Sequence, residues 1–176
     1  MEKNILKIAV VCTSAVKYFL YFCSVMICIG TVLIILFKDR IVGMLEAEDI
    51  AVLIGKSLDF PFVIWTCLNA LAVFICISIS VARFQRILKN FTNNEYFSED
   101  NYKCSKEILI AVVILTICQI SARVSFSYIH VDNVSMIYDL SVKDYLLNMF
   151  FGLTAFISTI LFKNGKILKD DSESII

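Results

Sequence analysis

The chain has few charged residues and few of the glycines and prolines that favour loops and turns. Its 176 residues include one proline, five glycines and one histidine, and only 18 % are charged, against about 25 % in an average soluble protein. These shortages exclude two-histidine metal sites and argue against a loop-rich secreted fold. Because the 16 basic and 16 acidic residues cancel, direct binding of nucleic acid is not expected.

The sequence is correspondingly rich in apolar residues. They make up 59 % of the sequence, and the mean hydropathy is +0.82. Four stretches of bilayer length carry one charge or none, and a spanning helix needs about 17–25 residues. A water-soluble bundle would instead carry a polar outer face. The sequence therefore predicts an all-α, polytopic membrane protein, a single four-helix bundle over residues 1–176, with spans at 18–37, 60–82, 108–129 and 145–162.

Lysine and arginine are divided unequally between the two sides of this topology. Eleven lie on the side that holds both termini, and four lie on the other side. Because basic residues favour the cytoplasmic side, we expect cytoplasmic termini, a cytoplasmic loop at 83–107 and a cytoplasmic tail at 163–176. Residues 8–16 should extend the first helix inward. The tail is expected to be a frayed basic anchor beside the membrane.

Motifs for catalysis and cofactor binding are not found in the sequence. H-E-x-x-H, G-x-S-x-G and G-x-G-x-x-G do not occur, and these are the patterns typical of zinc peptidases, serine hydrolases and dinucleotide-binding proteins. The seven cysteines include no C-x-x-C pair, so metal and redox chemistry are not indicated. We therefore expect a protein that is not an enzyme and that uses no cofactor or metal.

A polar stripe follows the third predicted span and is the first candidate site. Thr116, Gln119 and Arg123 share one helix face. Arg123 should lie roughly 22 Å across a hydrocarbon core of about 30 Å, in its outer third. It either extends to the outer headgroups as an anchor, or it enters a buried ion pair or ligand contact. Asp59 and Asp39 are the candidate partners at that depth.

The predicted cytoplasmic loop is the second candidate site. Its first part continues the second span as an amphipathic helix with one basic side, formed by Arg83, Arg86 and Lys89. Turn-forming residues at 92–94 end that helix. Ser98 is then placed as the N-cap of a new helix that starts at about Glu99.

Tyr96 and Phe97 are two adjacent aromatic residues outside any predicted span. Interfacial aromatics commonly dock at the membrane surface, so one interpretation is that the pair packs on the spanning helices there. Because aromatic and arginine residues are also typical anchors in protein interfaces, the other interpretation is a partner-binding loop that includes the basic residues just before it. The sequence leaves both open.

Two segments resemble motifs of a bacterial family called domain of unknown function 2975. Residues 94–101 (Asn-Glu-Tyr-Phe-Ser-Glu-Asp-Asn) resemble its G-x-P-F-S-x-x-N loop, and residues 162–171 resemble its F-x-x-G-x-x-L-x-x-D/E ending. Asn94 and Tyr96 stand where the family usually has Gly and Pro. The resemblance covers most of the chain. It implies a small bacterial inner-membrane protein with no established activity, often encoded beside a helix-turn-helix regulator.

Two functions follow from these observations. The first is a non-enzymatic regulatory or sensory role, in which the cytoplasmic loop contacts a soluble partner such as a helix-turn-helix regulator. The alternative is a transport-related or immunity-like protein with a polar path or ligand site at Thr116, Gln119 and Arg123. Transporters usually contain ionisable or Gly/Pro-broken spans, and only Arg123 qualifies, which favours the first. The four spans predict a multi-pass membrane protein, the resemblance implies the bacterial inner membrane, and both functions are compatible with a homo-oligomer.

Overall fold

The computed structural model describes residues 2–45, 60–129 and 142–174, and the regular secondary structure in these ranges is helical throughout. The helices are α1 (Glu2–Leu36), α2 (Lys38–Leu45), α3 (Phe60–Thr92), α4 (Glu99–Ile129) and α5 (Val142–Ser174). Four of them, α1, α3, α4 and α5, are long and apolar enough to cross a membrane. The predicted all-α fold is confirmed, and these four helices have the length and apolar composition that the predicted spans require.

Each long helix extends beyond its apolar span on the side of the chain termini. α1 begins at Glu2, as the expected inward extension of the first span requires, and α3 continues to Thr92. The prediction of a frayed tail is wrong, because α5 remains helical as far as Ser174. No proline follows Pro61, but Asn164, Gly165 and the aspartates of the tail are poor helix formers. Contacts of Gly165 with Phe97 and of Lys166 with Glu99 help to hold this part of the helix in place.

The four long helices pack as a row. Within residues 2–45, 60–129 and 142–174, α1 packs on α3, α3 on α4 and α4 on α5, while α1 and α5 have no contact with each other. The expected four-helix bundle is therefore open. Apolar side chains of the outer helices stay exposed, as Phe22 (63 %) and Phe150 (64 %) illustrate. Lipid tails are as apolar as leucine, so closing the row gains little hydrophobic free energy in a bilayer.

Buried polar contacts join each pair of neighbouring helices. Between α3 and α1, Nε2 of Gln85 donates to Val10 O at 3.4 Å. Between α3 and α4, Nδ2 of Asn69 donates to Ser121 Oγ at 3.0 Å. Between α4 and α5, Oγ of Ser105 donates to Ala155 O at 3.1 Å. Interhelical hydrogen bonds in membranes contribute about 0.6 kcal/mol each on average. Their directionality fixes the register of the helices, which apolar packing alone specifies weakly.

Candidate functional site

The segment between α3 and α4 is a tight turn at residues 93–98, because the two helices occupy the rest of the predicted loop. Asn94 has a φ of 64°, in the left-handed region that asparagine tolerates better than most residues. The N–H of Glu95 donates to Asn90 O (2.9 Å), and the N–H of Asn94 donates to Phe91 O (3.1 Å). This is the Schellman pattern that ends helices at glycine or asparagine. Asn94 therefore adopts the conformation that a glycine would supply there.

Ser98 caps α4 in the way that the sequence predicts. Its Oγ accepts the backbone N–H of Asn101 at 3.2 Å, the N-cap to N3 contact. α4 begins at Glu99, with Glu99 and Asp100 in its first turn. Carboxylates in this position interact favourably with the positive end of the helix dipole. The start of α4 is therefore fixed by local hydrogen bonds.

Asn101 ties the turn to both flanking helices. Its side chain is fully buried, and its Nδ2 donates to the carbonyl oxygens of Glu95 (2.7 Å) and Tyr96 (2.9 Å). Its Oδ1 accepts Nδ2 of Asn90, near the end of α3, at 2.7 Å. Sequence analysis did not identify this residue as a candidate. The available signal was its place as the last residue of the first family-like motif, three positions after the capping serine.

The two aromatic residues of the turn pack against the protein. The Phe97 ring covers Gly165 of α5 so closely that a Cβ at position 165 would overlap it. Tyr96 lies against Phe91, with ring centroids 5.4 Å apart, and Phe91 in turn lies 6.1 Å from Phe162. Residues of both family-like motifs therefore meet in one place. We call this region, residues 90–101 together with residues 162–166, the junction.

Ion pairs surround the junction. Arg86 Nε contacts Asp100 Oδ2 at 2.7 Å, and Lys166 of α5 contacts Glu99 at the start of α4. The hydrogen bond from Lys166 lowers the pKa of Glu99. Burial acts to raise the pKa of Asp100, but hydrogen bonds from Asn90 and Arg86 outweigh burial and lower it. Both carboxylates therefore stay ionised near neutral pH.

Two further basic residues of the predicted loop lie on α3. Arg83 forms an ion pair with Glu107 of α4. Lys89 is exposed, one turn closer than Arg86 to the end of the same helix. The three predicted basic residues thus share α3, and two of them bind carboxylates of α4.

Two of the three residues in the polar stripe of α4 contact the neighbouring helix α5. Thr116 Oγ1 donates to Val112 O of its own helix at 2.8 Å. Gln119 Oε1 accepts Nδ2 of Asn148 in α5. The guanidinium of Arg123 lies 5.8 Å from the ring centroid of Tyr145. Gln119 and Arg123 therefore face α5. Of the two candidate partners of Arg123, Asp39 is an exposed residue of α2. Asp59 lies outside the described residues, so its pair with Arg123 stays a prediction.

Asn69 is a buried polar residue inside a span that sequence analysis did not single out. It is 5 % exposed, and its Nδ2 donates to Cys118 O (3.1 Å) and Ser121 Oγ (3.0 Å) of α4. Its Oδ1 has no hydrogen-bond partner among the described residues. Asn69 is an uncharged amide within the apolar stretch 60–82, and no neighbouring charge or polar repeat in the sequence marks it as a contact residue.

Comparison with protein families gives one match. The sequence model of the family described as Protein of unknown function (DUF2975) matches residues 11–176, which include the whole junction. Comparison with curated proteins gives no match, and comparison with solved structures gives none.

Proposed function

The chain belongs to the family described as Protein of unknown function (DUF2975), and from this premise we propose that it is a non-enzymatic bacterial membrane protein with a regulatory or sensory role. In this proposal the termini and the junction face the cytoplasm. The junction binds a soluble protein partner, such as a helix-turn-helix regulator. The eleven basic residues on the side of the termini support the orientation.

The rigid presentation of two aromatic rings is the observation that carries the proposal. Tyr96 and Phe97 keep 46 % and 48 % of their surface exposed, although Asn101 holds the backbone beneath them and Gly165 supports one ring. A side chain that is already ordered loses less entropy on binding, and preorganised surfaces therefore bind more tightly. Aromatic residues are also among the commonest interface anchors.

Basic side chains on the two helices that flank the turn add charge to a surface suited to a protein partner. The side chains of Arg86 and Lys103 are 55 % and 64 % exposed, although each contacts an acidic residue of α4. A partially apolar centre with a charged rim is the usual composition of a protein interface. The exposed aromatic area is small, which fits a transient contact more closely than a permanent one.

Affinity purification in mild detergent tests this proposal. Tyr96→Ala removes an exposed ring but leaves Phe97 on Gly165, so we expect loss of the co-purifying soluble protein with unchanged membrane abundance. Tyr18→Ala is the matched control, since Tyr18 is 66 % exposed on α1, away from the junction. Identification of the recovered protein by mass spectrometry then shows whether it is a DNA-binding regulator.

Two results would contradict the proposal. Recovery of the partner could be unchanged by Tyr96→Ala, or Tyr18→Ala could lower it equally. In the first case the junction is not the contact. In the second, the loss reflects a general effect of removing surface tyrosines.

A transport-related or immunity-like function is the alternative, with its site at Thr116, Gln119 and Arg123. The contacts of Gln119 with Asn148 and of Arg123 with Tyr145 employ these side chains in holding α4 to α5. This use in packing supports the regulatory proposal over the alternative.

A further inference from the structure

A groove follows the last turns of α3 on the side of the termini. Its volume is about 440 Å³. The lining residues recur at helical spacing along one face: Ala82, Gln85, Arg86, Lys89, Asn90 and Asn93. Two are cationic, and three carry amides. The amide nitrogens of Gln85 and Asn90 already donate to Val10, Asp100 and Asn101, so Arg86 and Lys89 are the main donors left for a ligand. This composition suits an anion with several oxygen acceptors.

The groove lies at the depth of lipid headgroups. Ala82 is the last residue of the uncharged stretch 60–82, and Arg86 follows one turn later, about 6 Å further along the helix axis. The polar headgroup region begins where the hydrocarbon core ends. Arg86 and Lys89 are therefore placed beside the phosphate groups of the adjoining leaflet.

Neighbouring helices hold the groove in a fixed shape. Gln85 is 4 % exposed, and its Nε2 donates to Val10 O at 3.4 Å, which joins the groove floor to α1. Asp100 Oδ2 accepts Nε of Arg86 at 2.7 Å and Nδ2 of Asn90 at 2.8 Å. The Asp100 contact uses Nε alone, and the two terminal nitrogens of the guanidinium carry four more N–H donors. Arg86 is therefore oriented before any ligand binds.

The electrostatic balance of the groove is positive. Asp100 offsets the charge of Arg86, whereas Lys89 adds a second cation to a lining made otherwise of neutral residues. α1 and α3 are antiparallel neighbours tied at Val10 and Gln85. Lys7, three residues before Val10, therefore lies at about the level of Lys89, although it is not among the residues that line the groove.

We propose that this groove binds the phosphate headgroup of an anionic phospholipid, with Arg86 and Lys89 as its cationic contacts. Arginine offers paired N–H donors to phosphate oxygens, and lysine acts as a point charge. Free phosphate shares this chemistry, but the depth of the groove selects the lipid form. The two proposals share Arg86, but they can be tested separately, because Lys89 lines the groove and the exposed rings of the turn do not.

Native mass spectrometry of the full chain in detergent tests the proposal. Phosphatidylglycerol and phosphatidylcholine with identical acyl chains are the probes, and we expect preferential retention of phosphatidylglycerol. Lys89→Gln should weaken that retention about fivefold, which corresponds to about 1 kcal/mol for a basic residue near an anionic surface. Lys89→Arg should restore it. Lys106→Gln is the matched control, since Lys106 is an exposed lysine of α4 outside the groove.

Each remaining outcome overturns the proposal. Equal retention of the two lipids removes the headgroup preference, and equal loss with Lys106→Gln shows diffuse attraction to the basic face. Displacement of phosphatidylglycerol by millimolar inorganic phosphate identifies a soluble phosphate as the ligand. A co-purifying protein lost with Lys89→Gln, while lipid retention is unchanged, makes the groove a protein contact. Thermal unfolding of every variant shows whether a loss reflects misfolding.

Discussion

Replacing Gly165 by alanine tests whether the contact between the turn and α5 stabilises the fold. The added Cβ would overlap the Phe97 ring, so the ring must leave its place. Fully buried aromatic side chains remove roughly 150–250 Å² from solvent, and Phe97 is 48 % exposed. Displacing the ring would therefore expose about 100 Å² of buried apolar surface, which corresponds to a loss of about 2.5 kcal/mol in the free energy of unfolding.

Helix propensity acts in the opposite direction. Alanine is favoured over glycine in a helix interior by up to about 1 kcal/mol, so we expect a net loss of about 1–2 kcal/mol for Gly165→Ala. Gly152→Ala is the control in the same helix. There the nearest side-chain atom to the new Cβ is Cγ1 of Val112 at 3.8 Å, an ordinary contact, so that variant should be neutral or slightly stabilised.

Thermal unfolding in detergent can be followed with a thiol-reactive fluorophore after the exposed Cys12 and Cys28 are replaced by serine in every variant. Cys104 and Cys76 are 2 % and 6 % exposed and become reactive when the helices separate. In a Phe97→Ala background, Gly165→Ala should no longer destabilise, because the ring it displaces is absent. The reasoning fails if Gly165→Ala melts like Gly152→Ala, or if its cost is the same with and without the Phe97 ring.

Three further predictions concern the span, the ion pairs and the topology. Gln119→Leu leaves Asn148 without its acceptor in α4, and should cost about 1–2 kcal/mol in detergent melting; no change would show that the contact is dispensable. Lys166 lowers the pKa of Glu99 in the folded protein. The contact therefore contributes its full stabilisation above about pH 4.3, the ordinary pKa of glutamate in the unfolded chain, and this contribution is lost as the pH falls through the lower pKa of the folded state. Melting measured from about pH 7 to about pH 3 should therefore fall less steeply for Glu99→Gln than for the unchanged chain, and equal slopes would remove Glu99 as the cause. Reporter fusions after Asn94 and after residue 176 should read cytoplasmic and a fusion after residue 48 external; an external signal at Asn94 would refute the four-span topology.

Local chemistry made part of this structure predictable. The four spans follow from uncharged stretches of bilayer length, because a helix satisfies the hydrogen bonds of its backbone N–H and C=O groups within one segment, without water. The start of α4 follows from Ser98, whose capping bond reaches only three residues along the chain. Both predictions depend on interactions between residues close in sequence.

Contacts between distant residues were not predictable in the same way. The support of Phe97 by Gly165 requires that α5 stay helical far beyond its apolar span, and the tail was expected to fray. The bonds of Asn101 to the turn carbonyls depend on the left-handed conformation of Asn94. Hydropathy also cannot separate an open row from a closed bundle, since both expose apolar faces to lipid.

The row order of the helices has a consequence for biogenesis. Among the described residues, the long helices that pack along their lengths are consecutive spans in the chain, and the ring contact of Phe91 with Phe162 adds a link between α3 and α5 near their ends. Topologies dominated by contacts between successive elements assemble rapidly, because little chain entropy is lost before each contact forms. Each span can therefore dock on its predecessor as it enters the bilayer, with no need to wait for the end of synthesis. A chain interrupted after α4 would already hold α1, α3 and α4 in their final arrangement.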